Sequence, residues 1–182
     1  VPTDATPLPA TVSYYHGETV DIEADATATG YIFNGWHVHG DDVNVSGGSF
    51  EMPKRNVNVY GYFTANTDTA YKVEHYVEKL DGTGYEADPY TTQNLTGTTG
   101  AEVTATSIAI PGFKYNEAES VGTRTGIIAA DGSLVLKLYY DRNKYTVTYE
   151  YERTVPADAT SLPATVSYYH GETVNIEADA TA

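Results

Sequence analysis

Two histidines lie at a spacing that metal ions use on strands. His37 and His39 alternate, so on an extended strand they share one face, and Asp41 or Asp42 could supply a third ligand. The chain has no cysteine and only five histidines, and no further Cys/His cluster accompanies the pair. The spacing is more typical of two polar residues on the solvent face of a strand whose other face is apolar. We therefore predict no metal and no cofactor.

Aromatic side chains are the second source of binding chemistry. Trp36 could stack on a sugar face, but the only tryptophan of a small β-domain is more often a core residue. The 17 tyrosines include neighbours predicted to divide between core and surface, such as Tyr139 and Tyr140. We interpret the exposed members as the ligand contacts. The candidate binding residues are Trp36, Tyr76, Tyr90 and Tyr115.

Several reaction classes lack their motifs. No nucleophile elbow accompanies the serines, and the GTTG stretch at residues 97–100 lacks the helix and lysine of a phosphate-binding loop. Asp81-Gly82 lacks the ligand spacing of a calcium loop. The net charge of −15 disfavours nucleic acid and anionic membranes, and no run of residues is apolar enough for membrane insertion. We predict a protein that is not an enzyme.

A long internal repeat organises the chain. Residues 1–28 and residues 155–182 differ only at Thr3/Ala157, Pro7/Ser161 and Asp21/Asn175. Position 155 corresponds to position 1, so the repeat period is 154 residues. A period copied this faithfully indicates tandem duplication in a modular array.

The elements that carry the candidate residues are predicted to be strands. Residues 11–15 and 19–24 flank His16-Gly17 as a hairpin, and residues 30–38 form an aromatic strand with Trp36 and Phe33 on opposite faces. Short strands follow at residues 43–45, 49–52 and 56–63. The polar stretch at residues 64–70 lacks periodicity and is predicted to be a linker.

The second half of the period continues the β pattern. Strands are predicted at residues 71–80, 91–95, 101–105 and 113–115, and a hairpin at residues 126–140 turns at Ala130-Asp131-Gly132. Residues 117–120 could form a single helical turn. Residues 144–151, KYTVTYEY, alternate clearly and predict a strand directly before the second copy of the repeat. The predicted fold class is mainly β.

Placed in cyclic order, the first module resembles the internalin B-repeat, or Listeria–Bacteroides repeat, family. The shared elements are the YTVTYEY strand at 145–151, the YHGETV turn, the GYIFNGW motif at residues 30–36 and the closing VNVYGYF strand at 57–63. The resemblance implies a small β-grasp-like module found in arrays on bacterial surface proteins. It carries over no catalytic residues.

Residues 71–143 look like the mucin-binding-protein (MucBP) repeat family. The resemblance is carried by YKVEHYVEKLDG, LTGTTGAEVTA, PGFKYN and IAADGSLVLKLYYDRN. It implies a second β-grasp-like module, from surface adhesins of Gram-positive or gut-associated bacteria. Many members of that family need not bind mucin.

These observations predict three segments: a B-repeat-like module lacking its first strand at residues 1–66, a MucBP-like module at 67–143, and the opening strands of the next B-repeat-like module at 144–182. The predicted function is a stalk or spacer in an adhesin on the bacterial cell surface. The alternative is a module at 67–143 that binds mucin glycans or a host surface protein. We also expect residues 144–182 either to complete the Gly30–Phe63 half of another molecule by strand exchange or to stay partly disordered.

Overall fold

The computed structural model describes residues 1–40 and 42–178, and it confirms a mainly β fold. The helix α1, Glu117–Ser120, is a single turn. The strands are β1 Thr19–Asp21, β2 Tyr31–Val38, β3 Ser49–Glu51, β4 Val59–Ala65, β5 Thr69–Val77, β6 Thr91–Gly97, β7 Glu102–Thr104, β8 Phe113–Asn116, β9 Thr125–Ile127, β10 Val135–Arg142, β11 Lys144–Val147 and β12 Val166–Tyr169.

The contacts divide the chain into two units. The first unit comprises Val1–Tyr71, Asn94–Val103 and Ile127–Leu134, and the second comprises Lys72–Gln93, Thr104–Gly126 and Val135–Ala182. The three predicted segments, 1–66, 67–143 and 144–182, stay a prediction, since family assignments and not contacts define them.

The first unit contains two antiparallel strand pairs. Strand β1 pairs with β3, with Val20 opposite Phe50, and β2 pairs with β4, with Phe33 opposite Phe63. Phe50 is 4% exposed and belongs to the buried core of this unit. The predicted strand at residues 43–45 is absent, whereas the turn at Gly47-Gly48 is present with both glycines at positive φ.

Strand β2 departs from the alternation predicted for it. The register with β4 shifts between Phe33 and Trp36, and Gly35 has a φ of 80°, which few residues other than glycine adopt. This β-bulge brings the rings of Phe33 and Trp36 into edge-to-face contact, with centroids 4.9 Å apart. The prediction that these two side chains lie on opposite faces is therefore wrong, because the extra residue resets the alternation.

The hairpin predicted over residues 11–24 forms only in part. The turn is present, since Gly17 has a φ of 88° and its N–H donates to the Met52 carbonyl at 2.9 Å. Residues 11–15, however, lie outside any strand of the described chain. Strand β1 pairs instead with β3, and this pairing places Val20 opposite Phe50.

A mixed four-stranded sheet has the order β6-β5-β10-β8. Strand β10 runs parallel to β5, with Leu138 opposite His75, and antiparallel to β8. The first and last strands of this sheet in chain order, β5 and β10, are therefore parallel neighbours at its centre. Val73, Leu136 and Leu138 on one face are at most 2% exposed and form the core of the second unit.

The hairpin predicted over residues 126–140 is wrong. Its turn forms, with the Gly132 N–H donating to the Ala129 carbonyl at 3.0 Å, but strand β9 pairs with β7 while β10 enters the centre of the sheet. The apolar run of β10 explains the difference. A strand this apolar buries more surface between two neighbours than in a hairpin with one.

A buried polar chain joins the core strands of the second unit. His75 is fully buried, with Nε2 3.0 Å from Gln93 Oε1 and Nδ1 2.8 Å from the Tyr140 hydroxyl. Because the Gln93 oxygen can only accept, Nε2 carries the proton and Nδ1 accepts from Tyr140. The Tyr140 oxygen in turn accepts from the Ile108 N–H at 3.0 Å. Every member of this chain therefore has its hydrogen-bond partner.

The predicted helical turn at residues 117–120 is confirmed. The Asn116 side chain caps it by accepting from the Glu119 N–H at 3.1 Å. Ser120 is buried; its hydroxyl donates to the Asn116 carbonyl at 2.7 Å and accepts from the Tyr139 N–H at 3.0 Å. The turn is thereby fixed to β10.

The predicted linker is shorter than residues 64–70. Strand β4 extends to Ala65 and β5 begins at Thr69, so residues 66–68 alone connect them. The Thr69 hydroxyl is buried and lies 2.6 Å from that of Thr99. The polar composition of this stretch suggested a linker. Threonine is common in strands, however, where its backbone and hydroxyl groups can both form hydrogen bonds, so polar composition alone does not exclude a strand.

The strand predicted at residues 144–151 forms over its first half. Strand β11 pairs antiparallel with β12, with Tyr145 opposite Tyr168 and Val147 opposite Val166. The pair is continued at one end by the His170 N–H, which donates to the Asn143 carbonyl at 2.8 Å. The second copy of the repeat therefore begins with a strand that the first copy lacks.

Candidate functional site

The first unit contains an open groove beside residues 8–14. Its cavity has a volume of about 350 Å³. We define the first-repeat groove by its apolar lining: Val12, Tyr14, Val20, Ile22, Trp36, Phe50, Met52, Val57 and Val59. Val12 is 62% exposed, so one wall of the groove is open to solvent.

Trp36, one of the predicted binding residues, lies in this groove. Its indole Nε1 donates to the Ala24 carbonyl at 3.0 Å, and its ring packs edge-on against Phe33. It also lines a second cavity of about 420 Å³ together with Phe63. Trp36 is half-buried and its one polar atom is bonded within the protein, so it combines core packing with an open face.

The two histidines are part of an aromatic stack. The His37 ring stacks on Tyr60 and Tyr62, with centroids 5.4 and 5.6 Å away, and the His39 ring stacks on Tyr60 at 4.2 Å. The predicted shared face of His37 and His39 is thereby confirmed. His37 Nε2 also lies 3.1 Å from the Asn34 carbonyl.

The acidic residues near this stack have other roles. Asp42 forms an ion pair with Arg55, whose hydrogen bond lowers the pKa of the Asp42 carboxyl below its usual value. Asp41 lies outside the described residues. Within residues 1–40 and 42–178, no three His, Asp or Glu side chains converge as a metal site.

The second unit presents a cluster of tyrosines on the sheet face opposite its core. Tyr76 and Tyr139 lie opposite each other on β5 and β10 and stack with centroids 5.6 Å apart. The Lys137 ammonium lies 5.1 Å from the centre of the Tyr76 ring, and the Tyr85 ring lies 4.7 Å from Tyr139. We call Tyr76, Tyr85, Lys137 and Tyr139 the tyrosine face.

Carboxylates accept hydrogen bonds from two phenol hydroxyls of this face. The Tyr76 hydroxyl donates to Glu74 at 2.6 Å, and this bond is the main reason that the pKa of Tyr76 rises to about 12. The Tyr85 hydroxyl donates to Asp141 at 2.7 Å, and burial followed by this bond raises the pKa of Tyr85 well above its usual value. Both phenols are therefore neutral donors at physiological pH.

Tyr90 and Tyr115 lie elsewhere in the second unit. Tyr90 is 58% exposed, and its ring centroid is 6.5 Å from that of Phe113. Tyr115 packs edge-on against the buried Tyr140, and its hydroxyl accepts a long hydrogen bond of 3.4 Å from Arg124.

The structure does not bring the three candidate tyrosines of the second unit into one site. Trp36 lies in the first unit, and Tyr76 and Tyr115 point to opposite faces of the sheet because their partners Tyr139 and Tyr140 are sequential residues of one strand. Tyr76 is 8% exposed, which leaves Tyr90 as the most accessible of the three tyrosines. Their role in binding stays a prediction.

Sequence reasoning missed the partners that complete the tyrosine face. Lys137 meets Tyr76, and Tyr85 meets Tyr139, because β5 and β10 are parallel neighbours, and nothing in a single sequence states which strands pair. One signal for this face was available in the sequence. Glu74 and Tyr76 are two residues apart, as are Lys137 and Tyr139, so on a strand each pair lies on one face.

Comparison with known proteins finds a family similar to the part of the chain that contains the groove. The family model described as "Divergent InlB B-repeat domain" matches residues 4–67. No curated protein and no solved structure matches the chain. The matched residues include β1 to β4 and Trp36, so the predicted resemblance of this segment to internalin B-repeats is confirmed. The chain therefore contains a domain similar to a divergent internalin B-repeat.

Proposed function

We propose that the chain is a non-enzymatic repeat segment of a bacterial cell-surface protein and acts as a stalk or spacer of an adhesin. The observation that carries this proposal is the copying of residues 1–28 at residues 155–182, after one full period. Strand β11 follows β10 directly and pairs with β12, which lies inside the second copy. A chain built in this way extends by adding modules, which is what a spacer requires.

The match to internalin B-repeats supports a bacterial surface location, because that family is a repeat of such proteins. The single turn α1 is too short to cross a membrane. Among the described residues, no helix is both long enough and apolar enough to do so. The charge of −15 supports solubility and repulsion between neighbouring copies. Antibodies against the chain should label intact cells of the source bacterium, and labelling only after lysis would contradict a surface location.

The chemistry of the tyrosine face favours a structural role over catalysis. A general base works best with a pKa near the operating pH, whereas the pKa of Tyr76 is about 12. The polar groups of Tyr76 and Tyr85 bond to Glu74 and Asp141 of the same unit. Such a face stabilises the sheet and has few free groups for a substrate.

The second candidate function is binding of mucin glycans or a host surface protein by residues 67–143. It rests on the resemblance of this segment to the MucBP repeats and on Tyr90, which exposes more than half of its surface. An exposed phenol ring next to Phe113 is a suitable platform for a sugar face.

Binding of the whole chain to a mucin-glycan panel separates the two candidates. A spacer gives no saturable binding. Saturable binding that is lost in Tyr90→Ala and kept in Tyr145→Ala would establish the adhesive function instead. Tyr145 is a matched control, because it is 54% exposed and lies outside residues 67–143.

A further inference from the structure

We propose that the first-repeat groove is an acceptor for strand β11 of a second copy of this chain. The proposal concerns contacts between copies and is independent of whether the chain is a spacer or an adhesin. It starts from an identity of sequence: residues 10–20, ATVSYYHGETV, recur unchanged as residues 164–174.

The structure shows what this sequence pairs with. In the second copy, Val166–Tyr169 forms β12 and pairs with β11 of the same chain. The contacts extend beyond the ladder, since the Lys144 ammonium lies 4.4 Å from the centre of the Tyr169 ring and the Thr148 and Thr165 hydroxyls are 3.2 Å apart. The first copy repeats every one of these acceptor residues, but its residues 12–15 belong to no strand of the described chain.

The register transfers directly to the first copy. Tyr145 lies opposite Tyr168, and Val147 opposite Val166, so in the first copy they would face Tyr14 and Val12. Directly opposite residues of an antiparallel pair point to the same face.

Tyr14 and Val12 both line the first-repeat groove. The donor strand therefore directs Tyr145 and Val147 into the cavity of about 350 Å³, whose lining combines the apolar residues of the groove with Thr11, Asp21, Glu23 and Asn58. The match between register and cavity is the geometric basis of the proposal.

The groove offers the donor more apolar surface than its present position does. In its own chain, the donor side chain Tyr145 remains 54% exposed and the donor side chain Val147 remains only half-buried. In the groove, the same two donor side chains would also meet Val20, Trp36 and Phe50. Burial of this additional surface favours exchange over the intrachain pair.

Each chain then has one donor strand and two acceptors of the same sequence, residues 12–15 and β12. When β11 leaves β12 for the groove of a second copy, the first chain's own groove stays available to a third. Such head-to-tail pairing is heterologous, so it yields rings if it closes and open chains if it does not.

Disulfide trapping tests the predicted contact, because the chain has no cysteine of its own. Thr146 lies opposite Ser167, whose counterpart is Ser13. A Thr146→Cys chain mixed with a Ser13→Cys chain should give a mixed disulfide dimer under mild oxidation. Thr146→Cys mixed with Thr3→Cys is the control for random collisions, since Thr3 is exposed and outside any strand. Equal dimer yields in the two mixtures would overturn the proposal.

A pair of proline variants gives an independent test by light scattering over a range of concentrations. Ser167→Pro disables the intrachain acceptor and frees β11, so the mass-average molar mass should rise at least two-fold above that of Ser13→Pro. Ser13→Pro disables the groove acceptor and should stay monomeric at every concentration. Overlapping mass curves for the two variants would show that the groove does not accept β11.

Discussion

The two copies of the 28-residue repeat have almost the same sequence and different secondary structure. In the first copy, Thr19–Asp21 is a strand paired with β3, and residues 12–15 are not in a strand. In the second copy, Val166–Tyr169 is a strand paired with β11, and residues 173–175 are not in a strand. Each copy forms the strand whose partner is present, so strand formation here depends on the partner segment more than on the local sequence.

The turn between these two strands is the same in both copies. Gly17 and Gly171 have φ values of 88° and 89°. The Glu18 carboxylate accepts from the Tyr15 N–H at 2.6 Å, and Glu172 accepts from the Tyr169 N–H in the same way. The turn is therefore encoded by its own four residues, whereas the flanking strands are not.

The largest difference in stability between the copies is expected when the valine at the centre of β1, or its counterpart in the second copy, is replaced by aspartate. Val20 lies opposite Phe50 in the groove, so Val20→Asp places an unpaired charge against apolar side chains and should cost about 1–3 kcal/mol. Val174, its counterpart, is 37% exposed and unpaired, and Val174→Asp should change stability by less than about 0.5 kcal/mol. Urea unfolding followed by circular dichroism measures both, and fluorescence of the single Trp36 isolates the first unit. Equal losses in the two variants would contradict the comparison.

Hydrogen exchange should distinguish the two identical VSYY segments in the unaltered protein. Amides of β12 are held in a ladder and should exchange more slowly than those of residues 12–15 at low protein concentration. Peptides spanning residues 7–15 and 161–169 can be told apart by mass, because they begin with Pro7 and Ser161. Faster exchange in β12 would remove the structural difference on which the comparison rests.

A smaller difference is expected for the tyrosine that follows. Tyr169 lies under the Lys144 ammonium, and Tyr169→Ala should weaken the β11–β12 pair by about 0.5–1 kcal/mol. Tyr15 is 84% exposed, and Tyr15→Ala should leave β11 unaffected. Exchange of the β11 amides is the readout for both variants. An effect of Tyr15→Ala as large as that of Tyr169→Ala would show that the two rings are equivalent.

The smallest difference between the copies is expected at the shared turn. Glu18→Ala and Glu172→Ala each remove one side-chain acceptor and should each cost about 0.5–1.5 kcal/mol of local stability. Amide chemical shifts and exchange rates of Tyr15 and Tyr169 report the loss directly. A turn that depends on its surroundings would respond in one copy and not in the other.

Local features of the fold were predictable from sequence. The turns at Gly17 and Gly132 and the helical turn at residues 117–120 formed where local chemistry placed them. The pairing of strands was not predictable in the same way. Strand β10 joins β5, about sixty residues earlier, because a strongly apolar strand gains most at the sheet centre, and no local signal names its neighbour.

Residue type alone singled out Trp36 and the tyrosines as candidates, and their role in binding stays a prediction. The geometry around Trp36 was not predictable, because a single bulge at Gly35 placed Trp36 beside Phe33. The groove itself could not be predicted. It lies beside residues 11–15, whose sequence is typical of a strand but which pair with no strand of the described chain.

The near-identity of the two copies also bears on how such genes change length. Because the two copies differ at three positions, joining one copy to the other at any point within the 28 residues changes at most three residues of the protein. A crossover product that gains a period places KYTVTYEY directly before a copy that continues into GYIFNGW. Both the β1-type and the β12-type strand then have partners in one repeat. Unequal recombination can therefore lengthen the protein by whole periods without creating a new junction for the fold to accommodate.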